Sequence, residues 1–586
     1  MESYWNRIVE SRISRRRALA ATGGVVVSTA LLAACGGSDG GSTEDQNSLV
    51  TQVKDSSSKA TPGGVWKTSE VADANGFDVH KIATIPAGRA TDFYTFLLKY
   101  SRGTEGRKGP IVGDSAESYE MSPDGLTLTM KLRPGLKFDQ RPPTSGRNMT
   151  TQDIKFSWDR FIQFSPQAAD LRPSNADSPI KSLDAVDDKT IAVKLNFPYR
   201  SVLDIFAYQQ YMMVLPVEVD GGGFDPRAET RGAGPFYLDR WEPSVRLVWK
   251  KNPNWYEKGL PYLDTIEEYT INTPATALSQ FEAGVLWDGA GYQQEDVLRL
   301  KNDHPTMVMY QTYPVLGGDS CWSLSQQQGN ILRDVRARQA LSMLVDRDLY
   351  LEVINATDTF TSNGLPVDVR WNSHIPSANP EWLNPKKNEL GENSKYFHYN
   401  VAEAKKLISA AGYKGEPLLF QQADRHAPKP MEVLSGMWRE GFNLEQKILP
   451  YEPTWRQTCQ TSAGADYNGI CYNPGTGFNA EQHIVRWYTP EGRYRFTTEE
   501  TPVLTPLARR IRAELDGPKQ VELIKEFQKE AAKAMPLIMS IGATTGFALR
   551  WPWLENKGAW TDTRDSTHVK SYYWYNKALD PNAGKS

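Results

Sequence analysis

The chain has 586 residues, too many for one ordinary core, so two or three domains are expected. Its formal net charge is only −3 with 23% charged residues, which excludes a nucleic-acid binder, since that would carry a basic surplus. Seven scattered histidines, none with a second His or Cys at ligand spacing, give no metal site.

The first element is an export signal. Ser14-Arg15-Arg16-Arg17 is a basic patch with paired arginines, an uncharged stretch runs from Ala18 to Ala34, and Leu32-Ala33-Ala34-Cys35 closes it. Charged start, apolar middle and small-residue cut site are the three parts of such a signal, and the arginine pair points to the twin-arginine route. Leu-Ala-Ala-Cys resembles the lipobox of bacterial lipoproteins, which makes Cys35 the lipidated first residue of the mature protein. A transmembrane anchor fits less well. The stretch falls short of the ~20 strongly apolar residues a span needs, and Thr22, Gly23, Gly24, Ser28 and Thr29 dilute it. No second apolar run reaches spanning length.

Residues 36–62 are rich in Gly, Ser, Asp and Thr and read as a flexible tether, with folded sequence expected from about Gly63. Ser122-Pro123-Asp124-Gly125 has the chemistry of a tight turn. Leu126 to Leu132 then alternates at period two, as a half-buried strand does. Thr150 to Asp153 caps a helix whose apolar residues are Ile154, Phe156, Trp158 and Phe161. A second alternating strand, Thr190 to Leu195, follows the acidic turn Asp187-Asp188. Further helices are expected at 275–283, 335–345, 401–411 and 518–534, with Gly412 as a left-handed C-cap. Strands and helices mix throughout, so the class is α/β or α+β, and no repeat of 20–50 residues is visible.

Several stretches together resemble the family 5 solute-binding proteins of ABC importers, the peptide-, dipeptide- and nickel-binding types. Ser122-Pro123-Asp124-Gly125-Leu126-Thr127-Leu128-Thr129-Met130-Lys131-Leu132-Arg133-Pro134-Gly135-Leu136-Lys137-Phe138 looks like the family signature. Thr151-Gln152-Asp153-Ile154-Lys155-Phe156-Ser157, Gly232-Ala233-Gly234-Pro235-Phe236-Tyr237 and Asn252-Pro253-Asn254-Trp255-Tyr256 follow in the family's order. So do Asp334-Val335-Arg336, Asp346-Arg347, Ala411-Gly412-Tyr413 and the stretch 531–541.

The resemblance implies a periplasmic-binding-protein-like clamp of type II, cluster C, with an extra small domain. Lobe one would take 63–100, 225–318 and 537–586, the small domain 101–224, and lobe two 319–536. Such a protein is not an enzyme and carries no cofactor. It captures a peptide or similar-sized organic solute between closing lobes and delivers it to a membrane permease, hinging on ligand binding. It would sit as a lipid-anchored monomer on the outer face of the cytoplasmic membrane.

The resemblance also directs attention to the loop 466–478, where peptide-binding members place an acid that pairs with the ligand's amino terminus. Asn473 stands at that place here, and an amide cannot neutralise a buried ammonium. The same segment is equally an ordinary turn. By analogy with bridged relatives, Cys321–Cys471 is the preferred disulfide, with Cys459–Cys471 as rival. Trp322 and Tyr472, beside those cysteines, are stacking candidates or buried packing residues, and Trp455 is a weaker candidate. Asp78 either faces the cleft or caps a turn. Arg336 and Arg338 are expected in structural ion pairs.

A surface receptor or chaperone on the same fold is an alternative that the residues do not separate from import. A secreted hydrolase is disfavoured by the absence of a Gly-x-Ser-x-Gly elbow or a His-Glu-x-x-His motif. Gly232-Ala233-Gly234 is no phosphate cradle, because Pro235 removes a backbone donor.

Overall fold

The computed structural model describes residues 49–81, 90–175, 177–289, 292–314, 319–424, 428–451, 454–455, 458–459, 468–475, 477–497, 499–561 and 568–584. The export signal, Cys35 and the first part of the expected tether lie outside them. The rest of that tether departs from expectation. Leu49 and Val50 pack against the first core, and the Thr51 N–H donates to the Met309 carbonyl at 2.7 Å. The Ser56 hydroxyl donates to Asn556 Oδ1 at 2.8 Å. Two adjacent apolar residues within a polar stretch are enough to seat it on an apolar surface.

The chain enters a first body through β1 (Val65–Glu70) and passes into a small body. There β2 (Ala116–Met121) and β3 (Thr127–Leu132) form the expected hairpin. Gly125 takes the corner at φ 70°, a conformation that suits glycine. Leu128, Met130 and Leu132 face the core, as the alternation requires. Helix α1 (Thr151–Phe164) starts where Asp153 reaches back to accept the Thr150 N–H at 2.9 Å. Its Ile154, Trp158 and Phe161 are buried in the small body, while Phe156 packs against the first. Strands β4 (Ile180–Ala185) and β5 (Thr190–Leu195) complete a sheet of order β2-β3-β5-β4, and α2 (Val202–Ala207) follows.

The chain returns to the first body as β6 (Phe236–Glu242), β7 (Arg246–Lys251) and β8 (Thr265–Thr270). With β1 they form a sheet of order β1-β8-β7-β6, in which β1 and β8 run parallel. Met213, Leu215, Val219 and Phe224 join this core although they fall in the range expected for the small domain.

Strand β9 (Val308–Thr312) is the last first-body element before the chain crosses over. The second body opens with β10 (Asp319–Leu324) and continues through helices α3 (Val335–Met343), α4 (Arg347–Asn355) and α5 (Val401–Ala410). Gly412 follows α5 at φ 82°, the expected left-handed cap. Then come β11 (Leu418–Ala423), α6 (Pro428–Trp438), β12 (Leu444–Leu449) and β13 (Ile470–Gly475). Helices α7 (Ala480–Tyr488), α8 (Leu504–Ala513) and α9 (Gly517–Ala534) lead to β14 (Leu537–Met539). The chain recrosses to β15 (Gly546–Arg550), antiparallel to β9. Residues 537–539, expected in lobe one, therefore belong to the second sheet, because β14 pairs with β10.

That second sheet, of order β12-β11-β13-β10-β14, is covered on both faces. Trp322, Phe420, Ile470 and Ile538 point to one side, against Leu341, Leu349, Ile408 and Trp438. Cys321, Leu537 and Met539 point to the other, against Ile484, Ile511 and Phe527. Successive strand residues go to opposite helix layers, as the pleat dictates.

Candidate functional site at the crossing edge of the second sheet

Strand directions locate the site. β11, β12 and β13 run parallel, and β10 is antiparallel to β13, with Asp319 opposite Gly475. β14 runs antiparallel to β10, with Met539 opposite Cys321. Both crossing segments therefore meet the second sheet at the carboxyl ends of β11, β12 and β13. In open α/β sheets that edge is where ligands bind, because backbone and loops converge there without being used up by the ladder.

Of the residues singled out from the sequence, Trp322, Tyr472, Asn473 and Trp455 lie on or against the strands that reach this edge, but most are enclosed. Trp322 is 3% exposed, with its ring 5.6 Å from Tyr472 and 6.3 Å from Trp438. It lies on the face covered by α3, α4, α5 and α6 and serves as packing. Tyr472, opposite it in register, is half-buried, and its hydroxyl donates to Ser320 Oγ at 3.0 Å. Asn473 is 2% exposed and its Nδ2 donates to the Cys459 carbonyl at 3.3 Å. Its Oδ1 has no hydrogen-bond partner among the described residues. Trp455 is fully buried and stacks on Tyr451 with ring centres 5.2 Å apart.

The preferred disulfide is corrected. The bridge joins Cys459 to Cys471, with Cα atoms 5.9 Å apart, and Cys321 is a buried thiol that takes part in no bridge, its Sγ 3.1 Å from Met539 Sδ. Register explains this. Cys321 sits opposite Asn473 and Ser323 opposite Cys471, so Cys321 and Cys471 are diagonal neighbours. Diagonal positions on a sheet lie about 7–8 Å apart, too far for a bridge that needs Cβ atoms near 4 Å. The bridge instead ties Cys459 to the second residue of β13, and the Cys459 carbonyl accepts from Asn473 two residues further along the strand.

Asp78 is corrected too. It is 4% exposed and takes both Arg160 Nη1 and Nη2 at 2.7 Å, pinning the first body to α1. Burial alone would raise its carboxyl pKa, yet the guanidinium holds it below the ordinary value. An open hollow of about 1090 Å3 lies beside this pair, lined by residues of the first and small bodies and by none of the second. Arg336 pairs with Asp334 at 2.6 Å as expected. Arg338 instead donates to the carbonyls of Leu332, Arg333, Ala534 and Met535, and burial pushes it down to about 10.

Two features were not legible in the residue pattern. A cavity of about 220 Å3 lies at the first-body end of the crossing, walled by Tyr310, Tyr313 and Trp560 with Gln311, Thr312 and Thr561 at its polar positions. Aromatic walls with a few polar groups are the usual make-up of an organic-ligand pocket. On the second-body side, Phe478 leaves the end of β13 and enters the small body's core. Its ring is 5.3 Å from Tyr208, and its carbonyl accepts from Lys108 Nζ at 3.1 Å. Nothing local marks either feature, since each is assembled from segments hundreds of residues apart. Among the described residues no cluster of three His, Cys, Asp or Glu side chains is placed to hold a metal ion, and no helix is long and apolar enough to cross a membrane.

A fold of this kind, with two bodies joined by paired crossings, is that of an extracellular binding protein. The family model for bacterial extracellular solute-binding proteins, family 5, matches residues 110–489, well over half of the chain, and the protein belongs to that family. It is 25% identical over 329 residues to the glutathione-binding protein GsiB of Pectobacterium atrosepticum, covering 55% of this chain and 56% of that one. It is 32% identical over 301 residues to GsiB of Shigella dysenteriae serotype 1, covering 51% and 52%. The chain thus spans about half the length of the curated relatives it matches. Among solved structures, the periplasmic binding protein DppA of Helicobacter pylori, in complex with the peptide STSA, superposes with a TM-score of 0.73 at 17% identity, covering 88% of this chain and 99% of that one. MoaA from A. tumefacien R10, in complex with mannopinic acid, gives 0.69 at 21%, covering 88% and 100%. At these identities the structures establish the fold.

Proposed function

We propose that this protein is the substrate-binding component of an ABC importer, held outside the cytoplasmic membrane by lipid at Cys35. It captures a peptide or similar-sized organic solute between its two larger bodies, passes it to a permease as a monomer and alters nothing in it. The observation that carries this reading is the pair of crossings at the carboxyl edge of the second sheet, in a chain of the family 5 class. Two connections at one edge form a hinge, and a solute lodged there stabilises the shut form in proportion to its preference for it. The relatives named above bind glutathione, a peptide and mannopinic acid, which is the size range the proposal assigns. Lobe one, the small domain and lobe two follow the ranges given above, except that Met213, Leu215, Val219 and Phe224 pack with lobe one, Leu97, Leu98 and Tyr100 pack with the small domain, and the boundary at 536/537 moves to the recrossing after Met539.

The test is a melting-temperature panel of glutathione, Ser-Thr-Ser-Ala, mannopinic acid and ferric EDTA on the chain lacking residues 1–35. A true solute at about 100 times its Kd adds about 2.7 kcal/mol by mass action and raises the midpoint. Turnover of any of these compounds, abolished by one substitution at the crossing edge, overturns the non-enzymatic part of the proposal.

A further inference from the structure

The small body and the second body meet along a polar seam far from either crossing in sequence. Arg486 on α7 is fully buried and reaches Asp170, with Nε 3.2 Å from Oδ2 and Nη2 3.4 Å from Oδ1. The Tyr211 hydroxyl donates to the same carboxylate at 2.5 Å and accepts from Gln482 Nε2 at 2.5 Å. One turn back on α7, Glu481 accepts from the Tyr199 hydroxyl at 2.5 Å and faces Arg512 at 3.9 Å. Asn479 caps the helix and donates to Ser201 Oγ at 2.9 Å, while Arg509 pairs with Asp177 at 3.5 Å on the rim. Asp170, Asp177, Tyr199, Ser201 and Tyr211 come from the small body; all the partners come from the second.

Inside the seam one ion pair, Asp170–Arg486, joins the two bodies, so each of these charges is neutralised by a partner from the other body only when they meet, while Glu481 faces Arg512 within the second body and takes the Tyr199 hydroxyl of the small one. Buried ion pairs return little net stability, because desolvation offsets the attraction, but removing one partner leaves a charge that the interior cannot tolerate. Such a set selects one arrangement sharply without gluing it strongly.

We propose that Asp170, Tyr211, Gln482 and Arg486, together with Tyr199 and Glu481, are positioning residues that dictate the single register in which the small body meets the second when the clamp shuts. This rests on the hinged-clamp reading above and adds the element that determines where closure stops. A solute then meets the same shaped space each time the halves come together.

The experiment uses spin labels on the full-length chain at Lys189→Cys and Glu522→Cys, one on each side of the seam, with pulsed electron resonance reading shut and open distances in the absence of solute. Asp170→Asn and Arg486→Met each strand one buried charge and should shift the shut-to-open ratio towards open on the order of 100-fold. The double variant Asp170→Leu/Arg486→Leu strands none and should return to within about tenfold of the parent. Tyr199→Phe, which removes one hydroxyl and no charge, should shift the ratio in the same direction but less. Unchanged distances in the single variants, or a double variant as open as the singles, overturn the proposal. Because no solute is present, a chain whose seam behaves as stated but which no compound stabilises would sink the transport reading and leave the seam's role standing.

Discussion

His80 and His374 are both fully buried, and burial pushes each imidazole down to about 3. His80 is held by the Met213 carbonyl at 3.0 Å and His374 by the Tyr488 hydroxyl at 3.0 Å. A histidine whose folded pKa lies below its unfolded value stabilises the fold only above the unfolded pKa. The contribution is lost as pH falls from about 6.5, since the unfolded chain takes the proton and the native one does not. Between pH 7 and pH 5 each should cost about 2 kcal/mol. Denaturant titrations at the two values should show the drop, and it should be smaller in a His80→Asn/His374→Asn variant. At this scale the sequence shows which residues are present and not which are wet. Asp78 and Asn473 have the chemistry to touch a solute, yet both are buried, with the Asp78 carboxylate on Arg160 and the Asn473 Nδ2 on the Cys459 carbonyl.

Helix α1, the β2–β3 hairpin and strand β5 sit where capping, turn chemistry and alternation place them, because those signals are local. Elements that depend on pairing behave differently. The register of β10 against β13 keeps Cys321 from Cys471 and leaves Cys459 as the partner, which no spacing rule reveals. A bridge closing a loop of this size contributes about 3 kcal/mol. Reduction of the native protein, or Cys459→Ser, should therefore lower the melting temperature, while Cys321 stays unreactive to a thiol reagent until unfolding. The segment 49–62 carries its own prediction. A chain beginning at Gly63 loses Leu49, Val50 and the Ser56–Asn556 bond and should melt several degrees below one that keeps them. Equal midpoints would return the segment to the status of a loose tether.

For the molecule as a whole, the anchor we propose is lipid at Cys35, and no helix among the described residues is long and apolar enough to cross a membrane. Cys35→Ser should move the protein from the membrane fraction to the soluble one without changing its solute response. A chain that stays membrane-bound would show that the apolar stretch 18–34 anchors by itself.

The sequence alone determined the class, since the family's motifs recur in order along the chain, together with the cap, the hairpin and the α/β mixture. Each of those signals is carried by residues within about a dozen positions of one another. Only the tertiary structure decided which face of each strand is covered, which cysteines meet and where two bodies share buried charges. Burial and pairing are sums over neighbours brought from remote parts of the chain, and a side chain's own identity leaves them open.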